Sequence, residues 1–275
     1  MKYSYKGIHI LNINQIYSRL SINTGIKSVS IPGASHSIFV PKTDWVAAQD
    51  YVVNNLSGTC PLESEQNYIS LVKIPKEISD YLSIIGHGLS VCNSAETISL
   101  LFKDIYYKHG CNMLFDWVSK RFDPNVHFLG HYYREPNLES VSINHENQFV
   151  GLHIDSFSNL PITERRNERM RLCVNLGSEP RFLTFINLSL KELMRFIAIA
   201  SPINEFKCPN KLVRDFFELY PNFPVFRLQI NPLEGYIAPT ELIIHDANTM
   251  GRSFFDVSVT LLGQYPSSIA NIYSV

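Results

Sequence analysis

An α+β fold is predicted, with helices gathered in the first part of the chain and β-strands in the second. Three observations predict it. Helix-period apolar patterns dominate the region before about residue 124 and recur later only in an insertion near 188–220. From about residue 125 the apolar runs become short, with a two-residue period, and are punctuated by Gly, Pro and Asn. The composition is 45% hydrophobic, with 14 tyrosines and 17 phenylalanines but only 18% charged residues, which suits an aromatic-rich interior around a pocket.

The elements follow in order. TDWVAAQDYVVNNL, from Thr43, opens on an N-cap and repeats apolar residues at helical spacing. SAETISLLFKDIYYKHG reads as a second helix, with Ser94 and Glu96 at its start and Gly110 at its end, and NMLFDWVSKRF as a third. Next come the β-runs VHFLGHYYRE, ESVSINH, QFVGLHID, RMRLCVNLG, RFLTFINLSL, VFRLQI, GYIAPTE, LIIHDA and FDVSVTLLG. LSLKELMRFIAIA and NKLVRDFFELY place a helical insertion near 188–220. Roughly eight short strands in series predict a double-stranded β-helix, the cupin-like jelly roll, in which two facing sheets leave a mouth at one end. No linker or repeat divides the chain, so 1–275 is read as one domain: a mixed layer over 1–124 buttresses a jelly-roll core over 125–265.

Charge and cysteines narrow the function. A formal net charge of −1 offers no general attraction for nucleic acid or an anionic membrane. Cys60, Cys92, Cys111, Cys173 and Cys208 are odd in number and lack a CxxC pair, which suggests neither a disulfide framework nor a zinc cage and fits a reducing cytoplasm. The opening MKYSYKGIHILNINQIY fits neither a signal peptide nor a membrane span, because polar residues interrupt each apolar run.

The run GLHIDSF carries the chemistry. His153 and Asp155 are two positions apart, so on an extended strand both point to one face while Leu152 and Ile154 point to the other. LIIHDA brings a second histidine, His245, to the end of a later apolar run. Two imidazoles and one carboxylate facing a common cavity make a facial triad for non-haem iron, with three coordination positions open. A divalent cation would offset the desolvation of Asp155, which is otherwise costly.

Arg252 stands seven positions after His245 and is expected to open the final strand, RSFFDVSVTLLG. HxD, a distal His and then a basic residue resemble the Fe(II)/2-oxoglutarate-dependent oxygenases, over roughly residues 125–265. The resemblance implies His153, Asp155 and His245 as metal ligands, Fe(II), 2-oxoglutarate and O2 as cofactor and co-substrates, and Arg252 as the anchor of the oxo acid's distal carboxylate, a task suited to a planar guanidinium. The spacing to Arg252 is shorter than the family's usual one, so Arg171 and Arg181 are alternatives. With an acid at 155, where the related halogenases carry a small residue, hydroxylation is expected over halogenation, while desaturation, ring formation and demethylation share the same triad.

Arg171, Asn175 and Asp246 are the candidate substrate contacts, and Thr240 and Glu241 are expected near the mouth. TERRNERMR, with Arg165, Arg166, Arg169 and Arg171, is an exposed loop or a lid over the mouth. The resulting expectation is a dioxygenase that hydroxylates an unactivated C–H of an amino acid, peptide or other small molecule, in a tailoring step of secondary metabolism. A cupin-type metalloenzyme without an oxo acid and a non-catalytic β-sandwich binding module are the rival readings.

Overall fold

The computed structural model describes residues 7–11, 17–30, 37–56, 68–165, 169–200 and 208–267. Cys60, Arg166 and most of the N-terminal run considered above lie outside them. The strands and helices, in chain order, are β1 (His9–Leu11), β2 (Leu20–Ile22), β3 (Ile26–Val29), β4 (Ile38–Pro41), β5 (Val46–Ala47), α1 (Asp50–Leu56), β6 (Tyr68–Lys73), α2 (Lys76–Leu82), α3 (Ile84–Val91), α4 (Ala95–Leu101) and α5 (Ile105–Arg121). They continue with β7 (His127–Arg134), β8 (Met170–Asn175), β9 (Arg181–Phe185), α6 (Leu190–Ala200), α7 (Pro209–Leu219), β10 (Phe226–Ile230), β11 (Glu234–Ala238), β12 (His245–Asn248) and β13 (Asp256–Gly263).

The fold is mixed α/β with large antiparallel sheets. One sheet runs β1-β6-β11-β8-β13-β7 and the other β12-β9-β10-β2-β5, while β3 and β4 form a separate hairpin. Every pairing is antiparallel except β1 with β6. The N-terminal part therefore does more than buttress: β1 and β6 extend one sheet, and β2 and β5 extend the other.

Packing follows from the two-residue period. On β13, Val257, Val259 and Leu261 join the cluster formed with α2 to α5, through Ile78, Leu82, Ile85, Leu114 and Val118. Asp256, Ser258 and Thr260 alternate with them and face a cavity on the other side. Between the sheets, Leu71, Leu183, Phe185, Phe226 and Leu228 form the second cluster. On the far side of the smaller sheet, α6 and α7 lay Leu193, Ile197, Leu212 and Phe216 against Ile186 and Ile244.

Local signals moved some boundaries. The apolar pattern from Thr43 gives helix only from Asp50, because Val46 and Ala47 pair with β2. The second and third expected helices are redistributed as α4 and α5. Asp104 accepts from the backbone N–H of Tyr106 and Tyr107, so a new helix begins there and continues through Gly110. Gly110 is a contact point rather than a stop: a Cβ there would lie 2.8 Å from Cβ of Tyr81. ESVSINH and QFVGLHID form isolated bridges, Ile143 with Phe149 and His153 with His245, rather than strands. Among the described residues, no helix is long and apolar enough to cross a membrane.

Phe216 is fully buried and packs edge-on or tilted against Phe196, Phe217, Tyr220 and Phe223. Phe216→Ala is expected to lower unfolding free energy by about 3–5 kcal/mol, read from the urea midpoint, with the metal centre described next left unchanged.

Candidate metal centre

His153 and His245 come from segments far apart in the chain, and the backbone brings them into register. His153 N–H donates to the His245 carbonyl at 3.0 Å, and His245 N–H returns the bond to the His153 carbonyl at 2.8 Å. The imidazoles therefore sit side by side, with ring centroids 4.7 Å apart. Two residues on, Asp155 N–H donates to the Thr240 carbonyl at 3.0 Å, which carries the carboxylate to the same wall. The preceding turn needs glycine: Gly151 has φ 67°, and a Cβ there would lie 2.4 Å from the Phe39 carbonyl oxygen.

Hydrogen bonds orient both rings. His153 Nδ1 lies 2.8 Å from the Gly151 carbonyl and His245 Nδ1 lies 3.3 Å from the Ile243 carbonyl. A carbonyl only accepts, so each Nδ1 carries the proton and each Nε2 is left as a donor of electrons. His153 Nε2 is 3.3 Å from Asp155 Oδ1, and His245 Nε2 is 3.5 Å from Asp155 Oδ2. One ligand atom from each of the three residues falls within 4.8 Å of the others. Ligands about 2.1 Å from a common ion and at right angles lie about 3 Å apart, so the group fits one divalent cation after small adjustments.

Electrostatics agree. Burial disfavours charge on Asp155, but Arg171, His245 and His153 together hold its carboxyl well below the usual carboxylate range. Arg171 Nη2 is 2.8 Å from Asp155 Oδ2, an ion pair whose angle does not make it a hydrogen bond. Burial lowers the pKa of His245 against the pull of Asp155, so this ring is neutral and its buried Nε2 has no hydrogen-bond partner among the described residues. At His153 burial also opposes protonation, but the hydrogen bond and charge of Asp155 outweigh it and raise the pKa. The Arg171 guanidinium, together with His153 when it is protonated, thus takes the role a metal cation performs for a buried carboxylate.

The triad forms part of the wall of a cavity of about 260 Å³ between the sheets. Arg171, Asp246, Arg181, Asp256, Tyr236 and Arg134 also line it. Arg181 Nη2 lies 3.3 Å from Asp256, and its Nη1 donates to Cys173 Sγ at 2.9 Å. Its Nε is a buried donor with no partner among the described residues.

Two expected contacts lie off the cavity. Arg252 precedes β13 instead of opening it, because the chain turns after β12 with Arg252 N–H donating to the Thr249 carbonyl. Its guanidinium is 3.3 Å from Asp256 and donates to the Glu179 carbonyl, outside the cavity wall. Asn175 holds the β8–β9 turn: its amide donates to the Glu179 and Ile230 carbonyls and accepts from Gly177 N–H.

TERRNERMR is neither a simple exposed loop nor a lid at its ends. Arg165 is buried and donates to the Asp155 carbonyl at 2.6 Å, to Ser156 Oγ and to the carbonyls of Leu160 and Glu241. Thr240 and Glu241 are fully buried rather than at the mouth, and Glu241 accepts from Ser158 N–H and Oγ. These residues hold the main chain behind Asp155. Arg134, Tyr236 and Asp256 are further residues of the wall that no sequence motif names. The signal for Asp256 was the alternation of polar and apolar residues along FDVSVTLLG, and for Arg181 its shared parity with Leu183 and Phe185.

No family model matches the chain, and no curated protein matches it. Among solved structures the chain is similar to the Kdo hydroxylase KdoO, a non-haem Fe(II) α-ketoglutarate-dependent dioxygenase. The complex with cobalt(II) is 13% identical and the complex with α-ketoglutarate and Fe(III) 14%, each with TM-score 0.44, covering 74% of this chain and 81% of that one. The chemistry assigned to the site follows from its own side chains.

Mn(II) or Co(II) at a hundredfold its Kd is expected to stabilise the fold by about 2.7 kcal/mol, seen as a rise in Tm that His245→Ala abolishes. Without metal, Asp155→Asn leaves Arg171 buried without its ion-pair partner, and a loss of about 3–5 kcal/mol is expected in urea unfolding.

Proposed function

We propose that the chain is a non-haem Fe(II)/2-oxoglutarate-dependent oxygenase, folded as one domain on a jelly-roll core, that hydroxylates an unactivated C–H of an amino acid, peptide or other small molecule. The observation that carries this reading is the convergence of His153, Asp155 and His245 on one wall of a cavity that also holds buried guanidinium groups. The jelly-roll reading is supported by the pairing order: β7-β13-β8-β11 runs through the larger sheet, while the His153 segment, β12, β9 and β10 run through the smaller.

The donor set suits ferrous iron, since two imidazoles and one carboxylate on a single wall leave further positions open. With iron bound, 2-oxoglutarate and O2 supply oxidation of the C–H bond, the oxo acid leaving as succinate and CO2. The protein's part is to hold, orient and shield. Arg181, rather than Arg252, is the proposed anchor for the distal carboxylate, because it lines the cavity and keeps an unused buried donor. Tyr236, whose phenol burial keeps protonated, and the hydroxyls of Ser258 and Thr260 line the cavity with it. A cavity set between two sheets and open to solvent only at its rim limits water around an oxidation that must be directed at one carbon.

Anaerobic titration with Fe(II) and 2-oxoglutarate tests the reading. A weak visible charge-transfer band is expected, and it is expected to vanish in His245→Ala. Arg181→Gln should weaken 2-oxoglutarate about tenfold or more without changing Fe(II) affinity, while Arg252→Gln leaves both nearly unchanged. Metal binding without the band would instead support the cupin-type reading, and no metal binding the non-catalytic module.

A further inference from the structure

The cavity is lined by the guanidinium groups of Arg134, Arg171 and Arg181 and by the carboxylates of Asp155, Asp246 and Asp256. Two of these pairs are closed, Arg171 with Asp155 at 2.8 Å and Arg181 with Asp256 at 3.3 Å. Arg134 and Asp246 remain, and no ion pair joins them among the described residues. Each is held by neutral groups instead. Arg134 donates from Nε to the Val141 carbonyl at 2.6 Å and from Nη1 to the Tyr133 carbonyl at 2.8 Å. Asp246 Oδ1 accepts from Ser142 Oγ at 2.8 Å, whereas Asp246 Oδ2 is buried with no hydrogen-bond partner among the described residues.

A carboxylate oxygen in that state is costly unless something entering the cavity donates to it. Asp246 lines the cavity, and its oxygens are not among the atoms grouped for a metal, so they are free to receive a donor that enters from the rim. The rim gives an approach from solvent, since Tyr132 and Tyr133 line the cavity and are 43% and 36% exposed.

Charge decides what enters. The six cavity side chains sum to zero, and a divalent cation with a dianionic oxo acid adds nothing. A third ligand with net charge would leave that charge buried without compensation. A neutral ligand without separated charges would leave both Arg134 and Asp246 unanswered. A molecule carrying one ammonium and one carboxylate answers both at once.

We propose that the cavity takes a free α-amino acid as a zwitterion, with its ammonium on Asp246 and its carboxylate on Arg134. This rests on the oxygenase reading and deepens it. Asp246 directly follows the ligand His245 on β12, so the amino end is held beside the metal centre.

The test uses the whole protein loaded anaerobically with Fe(II) and 2-oxoglutarate, after the charge-transfer band has been recorded. Each common L-amino acid is then titrated, following the band and the heat of binding. At least one is expected to bind and shift the band. Its decarboxylated amine and its α-hydroxy acid analogue should each bind about tenfold or more weakly. Asp246→Asn is expected to erase the preference for the amino acid over the hydroxy acid while keeping its preference over the amine. Arg134→Gln should do the reverse, so either variant alone tests one end of the clamp.

A band that no amino acid shifts, with no heat of binding, overturns the proposal while leaving the oxygenase reading intact. The same holds if dipeptides bind and free amino acids do not, or if both variants keep wild-type discrimination. If the band itself never forms, the oxygenase reading fails. Calorimetry with the same amino acids on the metal-free protein then decides the zwitterion site by itself, heat that is lost in Asp246→Asn supporting it and the absence of heat overturning it.

Discussion

The burial of one carboxylate organises this protein. Asp155 sits between two sheets, where an uncompensated negative charge is costly, and three cation-capable side chains converge on it. The main chain around it is arranged to keep that convergence. The reciprocal backbone pair between His153 and His245 sets the rings side by side, Thr240 takes the Asp155 amide, and Arg165 takes the Asp155 carbonyl. Geometry that satisfies a buried acid in this way is already close to a coordination sphere.

The sheets allow this because the same inward-facing positions serve two purposes. Over part of the interlayer they carry Leu183, Phe185, Phe226 and Leu228 and form a dry core. At one end the inward positions of β8 and β13 carry Arg171, Cys173, Asp256, Ser258 and Thr260 instead, and a cavity results. Polar groups there cannot close on one another as hydrocarbon does, so they pair across the space. The outward positions of the same strands remain apolar and bind the helical layer, which keeps the polar wall rigid.

Chain separation and spatial separation diverge most at the turns. Arg252 is near His245 in sequence, yet the turn after β12 carries it away from the cavity to Glu179 and Asp256. Arg181 is far from His245 in sequence and reaches the cavity because β9 lies next to β12 in the sheet, with Phe185 opposite His245. Asp246 shows a related effect. Simple alternation turns it away from the side chains of His153, Asp155 and His245, but β12 lies at the sheet's edge and its side chain still reaches the cavity wall beside Ser142.

The sequence by itself determined the periods: helix-type apolar spacing before residue 124, alternation after 125, and a histidine and an acid sharing one strand face at 153 and 155. Those are local properties of backbone geometry, so they are legible without a fold. It also marked His245 as a third candidate, a histidine that ends the apolar run LIIHDA. Only the tertiary structure decided which arginines face the cavity, that Arg165 and Glu241 support the site from behind, and that Arg134 and Asp246 make no ion pair among the described residues. These depend on strand order and turn direction, which are fixed by long-range packing of the two sheets and by no short stretch of residues.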